Sequence, residues 1–498
     1  MKILFYYVGT PTPIFETELE LVRKHESAGD TVRFLQCTGN LDNCFWNPDK
    51  HKFVCSACRS KFKHGWGVLN SGETVELKNI PLQKILPSAL PDAFNTVEDL
   101  KQFRYDNEKI GWGIASRLVS LYRDHRFDTK RYKNEVFREL NTSVQVYETL
   151  KLEFEEFKPD LVYVFNGRIT TQLPAILLCK KMGIDYCSYE MGYNLNTYIL
   201  RNNSTTHSIE AFNKEAEMLW AHGGDDRETK ARSYFEKKRN GVDGQKFSSF
   251  TKYQQKMLLP LDFNRDKRNI VIFNSTMDEY SAIEDWQHPI YKPDENAGIE
   301  RIVNDFKFDD RYIFYLRVHP NMKNLPSTTS QLQDIKLLDS RCSNLNVIWP
   351  EDDVDSYELM EACEKVITFG STMGIEAAYW GRPSIMVGRA LYEDLDCIYV
   401  PKTHEDVIEL LKKDLPSLPA YSALKYGFRD LSAGIPYEYF TETGMKGTLP
   451  TGTFDGVEIK PHAIAMLRYK IQLFLWRLSK GVLKPSLILR KLNILSKS

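Results

Sequence analysis

The stretch "KVITFGSTMGIEAAYWGRPSIMVG", Lys365 to Gly388, holds the clearest structural grammar in the chain. An apolar run from Val366 to Phe369 stops at Gly370, and the hydroxyl residues Ser371 and Thr372 follow. A helix-like segment comes next, with Glu376 in its first turn. Gly381-Arg382-Pro383 breaks it, and a second apolar run begins at Ser384. Strand, tight turn, helix, turn, strand is the parallel βαβ unit. Two hydroxyls and a carboxylate at its mouth call for a reason beyond the fold.

The same rhythm extends in both directions. "RNIVIFNSTMDEY", "RYIFYLRVHPNMKN" and "LNVIWPEDDVDSYELMEACE" each read as a strand running into a polar loop. Near the N-terminus, residues 2–8 form a buried-strand pattern, 14–28 a helix and 31–36 a second strand. Residues 160–165, 170–182 and 184–189 repeat the alternation, the last strand ending at Glu190. Alternating strands and helices predict an α/β fold with parallel sheets. Two such halves predict two Rossmann-like domains facing one another across a cleft. The first spans 1–240, with a cysteine-cluster insertion at 37–66 and a helical segment at 94–157; the second spans 260–415. The polar stretch from about 224 to 260 reads as the passage between them, and 416–498 as a C-terminal helical segment.

At 498 residues, with 42% hydrophobic and 27% charged residues, the chain has room for two or three cored domains. Its formal net charge of −1 gives no global attraction to nucleic acid, and no nucleic-acid partner is expected. The start "MKILFYYV" is followed by Glu16, Glu18 and Glu20, which suits a first strand better than a secretory leader. No run of about 18 apolar residues occurs. The expected location is cytoplasmic.

Ligands of open parallel sheets sit beyond the carboxyl ends of the strands. In the second half the loops starting there are Asn274-Ser275-Thr276, His319-Pro320, Trp349-Pro350-Glu351 and Gly370-Ser371-Thr372. The helix start after Gly370 offers backbone N–H groups and a positive dipole end to an anion, and Ser371 and Thr372 add hydroxyls. Glu376 is either a helix-terminus carboxylate or an acceptor for ligand hydroxyls. His319 is either a loop cap or a donor to a phosphate leaving group. Arg317, two residues earlier, either joins that site or pairs with an acid. No GxxxxGK[ST] or GxGxxG motif is present, so kinase and dehydrogenase readings lack their phosphate grip. The Asp353–Asp355 and Asp394–Asp396 pairs read as solvated loops or caps rather than metal ligands.

This constellation resembles the nucleotide-sugar glycosyltransferases of the GT-B fold, especially bacterial capsule and lipopolysaccharide enzymes. His319-Pro320 and the "GST…E" of Gly370 to Glu376 look like two donor-site motifs of that group, over roughly residues 265–410. "FNGR" and "YEMGY" in the first half look like its acceptor-side cleft loops. The resemblance implies a sugar transferase working without a catalytic metal. Asn274, Ser275, Thr276, Arg317, His319, Gly370, Ser371, Thr372 and Glu376 would hold the donor. Glu190 would serve as base, with Glu16 as runner-up and Asn166 and Arg168 orienting acceptor or donor. The His-Pro pair tilts the donor slightly toward a CMP-linked sugar, with UDP and GDP as alternatives. The acceptor would be a cell-surface polysaccharide or a lipid-linked oligosaccharide. A glycerol- or ribitol-phosphate transferase, a sugar-nucleotide epimerase and a zinc-stabilised non-catalytic binding protein remain as alternatives.

Two features lie outside that pattern. Of nine cysteines, Cys37, Cys44, Cys55 and Cys58 fall together as C-x6-C-x10-C-x2-C. Four thiolates suit structural zinc, or an iron–sulfur cluster, with plain reduced thiols as the remaining reading. The last 38 residues, from Pro461, hold eight lysines or arginines and no acid, interleaved with large apolar residues. That reads either as a basic amphipathic segment on the inner face of a membrane or as helices packed across the domain junction.

Overall fold

A computed structural model describes residues 1–79, 93–243, 249–446 and 449–479. The first half is built from β1 (Lys2–Tyr7), α1 (Ile14–Ser27), β2 (Thr31–Gln36), α2 (Lys52–Leu69), β3 (Val75–Asn79), α3 (Val97–Lys101), α4 (Gly111–Tyr122), α5 (Lys133–Phe157), β4 (Leu161–Phe165), α6 (Leu173–Met182), β5 (Asp185–Met191) and β6 (Thr197–Asn202). Helices α7 (Ile209–His222) and α8 (Arg227–Arg239) follow. The second half contains β7 (Arg268–Phe273), α9 (Glu295–Asp305), β8 (Tyr312–Arg317), α10 (Ser330–Arg341), β9 (Leu345–Ile348), α11 (Ser356–Ala362), β10 (Lys365–Thr368), α12 (Met373–Tyr379), β11 (Ser384–Met386), α13 (His404–Lys412) and α14 (Ala420–Ser432). The chain ends its described course with β12 (Ile435–Pro436), β13 (Phe440–Lys446), β14 (Leu449–Phe454) and α15 (Ala463–Ser479).

The first sheet runs β3-β2-β1-β4-β5-β6-β12 and the second β9-β8-β7-β10-β11. Strands β1 to β5 are mutually parallel, as are all strands of the second sheet. Both sheets therefore carry the doubly wound order, with the reversal between the first and fourth strand of each. Apolar runs such as "KILFYY" and "RNIVIF" follow from this, because helices cover both faces of such sheets. The two domains predicted from sequence face one another across a cleft, which is the GT-B arrangement.

Register brings the second-domain loops to one level. Ile348 pairs with Arg317, Arg317 with Phe273, and Phe273 with Thr368. Four neighbouring strands thus release their chains side by side. Helix α12 lies close against β10 because residue 374 is glycine. A Cβ there would stand 2.8 Å from Thr368 Oγ1 and 2.4 Å from Tyr392 Oη.

Three expectations change. Residues 37–66 do not interrupt the first domain: α2 is the crossover helix that carries the chain from β2 to the parallel β3. Helices α7 and α8, expected in the first domain and the polar passage, pack with α14 on the second. Phe212, Trp220, Tyr234 and Phe235 share one core with Ile375, Met386 and Phe428. The segment 416–498 is not wholly helical. Between α14 and α15, β12 joins the first sheet beside β6, and β13 and β14 form a hairpin. Its threonines and glycines supply the alternation and the turn freedom a hairpin needs.

Helix α15 lies on α2, with the rings of Trp476 and His51 5.4 Å apart and those of Tyr469 and Phe53 5.8 Å apart. Its other side leaves Ile464, Leu467, Ile471, Phe474 and Leu475 exposed. Residues 480–498 of the basic tail lie outside the described residues. Among the described residues no helix is long and apolar enough to cross a membrane.

Candidate active site

A cavity of about 1090 Å³ opens between the carboxyl ends of the two sheets. It collects Asn274, Ser275, Thr276, Arg317, His319, Gly370, Ser371, Thr372 and Glu376 into one wall. Arg168, Tyr193, Asn194 and His207 face them from the first domain. The position follows from topology: the loops after β7 and β10 flank the point where strand order reverses.

His319 is the best defined of these groups. Its Nδ1 accepts the Asn321 backbone N–H at 3.2 Å, capping the turn Pro320–Asn324. A ring nitrogen that accepts carries no proton, so the proton lies on Nε2. Asn274 Oδ1 receives the His319 backbone N–H at 2.7 Å, and Thr276 Oγ1 stands 3.3 Å from Nδ1. Burial, helped by the nearby Arg317 cation, lowers the pKa of His319 to about 4. At neutral pH it is an uncharged donor through Nε2, suited to steadying an oxyanion rather than to delivering a proton. The capping role and the donor role coexist, since the cap is what fixes the tautomer.

Arg317 is 3% exposed and forms no salt bridge among the described residues, although the Asp352, Glu351 and Asp353 carboxylates act on it through space. Its guanidinium donates to the carbonyls of Trp349 at 2.5 Å and Asp352 at 3.2 Å, leaving Nε without a partner. Burial alone disfavours this cation, although Asp352, Glu351 and Asp353 offset part of the cost. Ser275 Oγ is likewise buried without a hydrogen bond. Ser371 Oγ accepts the Met373 N–H at 3.3 Å, which keeps its own proton available to a ligand. Helix α12 has only seven residues, so the local donors matter more than a long helix dipole.

Glu376 does not cap its helix. Its carboxylate accepts the Tyr357 hydroxyl and is 3% exposed at the cavity wall. Tyr357 comes from α11, separate in sequence from the loop that carries Ser371 and Thr372. Behind the wall, Glu295 receives the Ser275 backbone N–H at 3.4 Å, the Tyr280 hydroxyl at 2.8 Å and Gln331 Nε2 at 2.6 Å. This network holds the Asn274-Ser275-Thr276 loop in place.

The first-domain expectations are met unevenly. Arg168 lines the cavity and donates across the cleft to the Glu279 carbonyl at 2.6 Å. Asn166 and Glu190 lie outside the lining, with Asn166 Nδ2 bound to Glu190 Oε2 at 2.8 Å. The Glu190 carboxylate acts on Arg168 electrostatically. Glu16 is also outside the lining, 1% exposed, with Lys61 at 3.0 Å and Thr12 Oγ1 at 2.9 Å. His207, whose pKa burial lowers to about 3, sits 3.3 Å from Asn166 Oδ1 and was not foreseen. Lys237 and Lys238, from the stretch read as a passage, also reach the cavity. Only the packing of α8 on the second domain reveals them.

Cys37, Cys44, Cys55 and Cys58 are free thiols away from this cavity. Among the described residues no group of three or more His, Cys, Asp or Glu is arranged to hold a metal ion.

Several solved structures resemble the chain at low identity. A Thermosulfurimonas dismutans KpsC beta Kdo 2,4 transferase matches at 12% identity and TM-score 0.34, covering 62% of this chain and 87% of that one. The KpsC beta Kdo 2,7 transferase from the same organism matches at 12% and 0.32, covering 65% and 90%. A UDP-GlcNAc 2-epimerase from Neisseria meningitidis bound to UDP-GlcNAc matches at 12% and 0.28, covering 86% and 98%. No curated protein sequence matches the chain. Residues 261–395, which supply most of the second-domain wall of the cavity, match the family described as capsule polysaccharide biosynthesis protein.

Proposed function

We propose that the protein is a glycosyltransferase of capsule polysaccharide biosynthesis, moving a sugar from a nucleotide donor to a polysaccharide or lipid-linked acceptor. The observation that carries this reading is the pairing of Arg317 and His319. A buried guanidinium that forms no salt bridge among the described residues and has a free Nε, and a neutral histidine donor, line one cavity. A phosphate of the donor supplies the missing anion. His319 Nε2–H, the Ser371 and Thr372 hydroxyls and Ser275 Oγ then stabilise the charge that grows on it as the glycosidic bond breaks. Glu376, held by Tyr357, accepts hydroxyls of ribose or sugar. For an inverting transfer the acceptor's proton goes to Glu190, which reaches the acceptor once its bond to Asn166 opens. These groups supply the stabilisation without a catalytic metal. A CMP-linked donor is the first choice, with UDP and GDP next.

The exposed face of α15 supports an acceptor carried by a membrane. Ile464, Leu467 and Ile471 share that face, and Arg468 and Lys470 flank it. Such a helix can lie on an anionic bilayer. Flotation with anionic and with neutral vesicles tests this: a chain ended after Lys460 that floats as well as the full chain removes α15 from the role.

Thermal-shift titration with CMP-, UDP-, GDP- and CDP-linked sugars tests the main proposal. A rise in Tm with one nucleotide class is expected, and stabilisation by none of them defeats the reading. Conversion of the donor's sugar without an acceptor would instead identify an epimerase.

A further inference from the structure

His207 lies in the connection from β6 to α7, where the chain crosses from the first domain to the second, and it lines the cavity. Its backbone is fixed from both sides of the cleft. Trp286 Nε1, from the second domain, donates to the His207 carbonyl at 2.8 Å. The next residue, Ser208, accepts the Ala211 N–H on its hydroxyl at 3.2 Å and so caps α7. The Ser208 N–H donates in turn to the Thr205 carbonyl at 3.1 Å.

The neighbours decide which ring nitrogen carries the proton. Asn166 leaves β4 with a left-handed φ of 57°, a conformation that asparagine tolerates. Its Nδ2 donates to Glu190 Oε2 at 2.8 Å, while Glu190 Oε1 receives the Met191 N–H at 3.1 Å. A carboxylate only accepts, so the Asn166 amide nitrogen must face it and Oδ1 must face away. That oxygen stands 3.3 Å from His207 Nε2. An amide oxygen also only accepts, so Nε2 holds the proton and Nδ1 is bare. Nδ1 has no hydrogen-bond partner among the described residues. The cavity therefore contains two neutral histidines engaged at opposite ends. His319 has its Nδ1 occupied and offers a donor; His207 has its Nε2 occupied and offers an acceptor.

We propose that His207 Nδ1 receives the hydrogen bond of a hydroxyl on the acceptor glycan, with Asn166 and Glu190 as the positioning residues that fix its tautomer. The inference rests on the glycosyltransferase reading of the cleft. A bare ring nitrogen takes a neutral donor such as a sugar hydroxyl and repels phosphate oxygens, which separates the acceptor's place from the donor's. A hydroxyl held through its hydrogen keeps its oxygen lone pairs free for the sugar carbon. Burial, with the Arg168 cation beside it, lowers the pKa of His207 to about 3. The ring thus orients the hydroxyl without keeping its proton, whose destination in the transfer remains Glu190.

The test uses the full chain carrying isotope-labelled histidine, with glycerol and the methyl glycosides of glucose, galactose and N-acetylglucosamine as hydroxyl probes. In the nucleotide-free chain at neutral pH, NMR should show His207 with Nε2 protonated and Nδ1 bare. The probes should move the Nδ1 resonance upfield, and Asn166→Leu should mix the two tautomers. A protonated Nδ1, or an Nδ1 resonance that no probe moves, overturns the proposal. Turnover gives a second reading. His207→Leu should raise the KM for the probe glycosides roughly tenfold, the cost of one hydrogen bond. His207→Asn, whose amide oxygen can take the place of Nδ1, should restore most of it, and nucleotide Kd should change far less in both. Equal losses of glycoside KM and nucleotide affinity in both variants would make His207 merely structural. If His207→Leu fails to fold, the wild-type spectra decide. Failure of every nucleotide to bind defeats the glycosyltransferase reading, whereas the tautomer and the probe shifts are read without nucleotide and stand apart from it.

Discussion

The Asn321 backbone N–H donates to His319 Nδ1 at 3.2 Å, and this one bond decides what the histidine offers the cleft. With Nδ1 occupied, only Nε2–H is presented. Replacing His319 by Ala is expected to lower donor turnover by about 10²–10³-fold, the usual loss for one oxyanion donor. Nucleotide affinity should change far less, because the contact strengthens as charge develops. Steady-state kinetics beside calorimetric nucleotide titration separate the two effects. Equal losses in binding and turnover would count against the donor role.

Buried histidines also give stability a direction with pH. His319 and His288 are lowered to about 4 and His207 to about 3, in each case chiefly by burial. Between about pH 6.5 and 4 these three histidines bind more protons in the unfolded chain than in the folded one, while Glu139 and Glu295, raised by burial to about 7 and about 8, act in the opposite sense. The histidine contribution, present above pH 6.5, is lost as pH falls through that window, by up to about 1.4 kcal/mol per pH unit for each histidine. Denaturant melts of the wild type and of His207→Asn from pH 7 to 4 isolate it: the variant should lose less stability than the wild type over that range.

Arg317 provides a test of the missing anion. Arg317→Lys keeps the charge but loses the fork that holds the Trp349 and Asp352 carbonyls. Nucleotide affinity should fall roughly tenfold and ligand-free stability by about 1–2 kcal/mol. Calorimetry and chemical denaturation report these separately, and unchanged affinity would remove Arg317 from the site.

Tyr357→Phe takes from Glu376 the hydroxyl that holds its carboxylate. The expected cost is about 1–3 kcal/mol in denaturant melts, together with a higher KM for the sugar donor. A variant with unaltered KM would make Tyr357 a purely structural partner.

Gly374→Ala places a methyl group against Thr368 Oγ1 and Tyr392 Oη. Helix α12 must shift away from β10, carrying Glu376 with it. Destabilisation of about 1–3 kcal/mol is expected, with weaker nucleotide binding. A melt indistinguishable from wild type would show that this helix is not tightly seated.

Much of this molecule was written locally. Apolar strands that must be buried on both faces, broken by glycine and hydroxyl turns, predicted both parallel sheets and the second-domain wall from Asn274 to Glu376. Those signals survive in sequence because each strand, loop and helix start is contiguous. Long-range packing decided the rest. Tyr357, Glu295 and Gln331 reach the site from separate helices, and Lys237 and Lys238 enter it because α8 packs on α14. Glu190 and Asn166 sit at strand ends facing the cleft side, yet they bond to one another and lie outside the lining. The residues alone marked out the second-domain wall; tertiary burial bonded the Arg317 guanidinium to two backbone carbonyls and fixed the proton of His319, and the proposed phosphate site rests on those two facts.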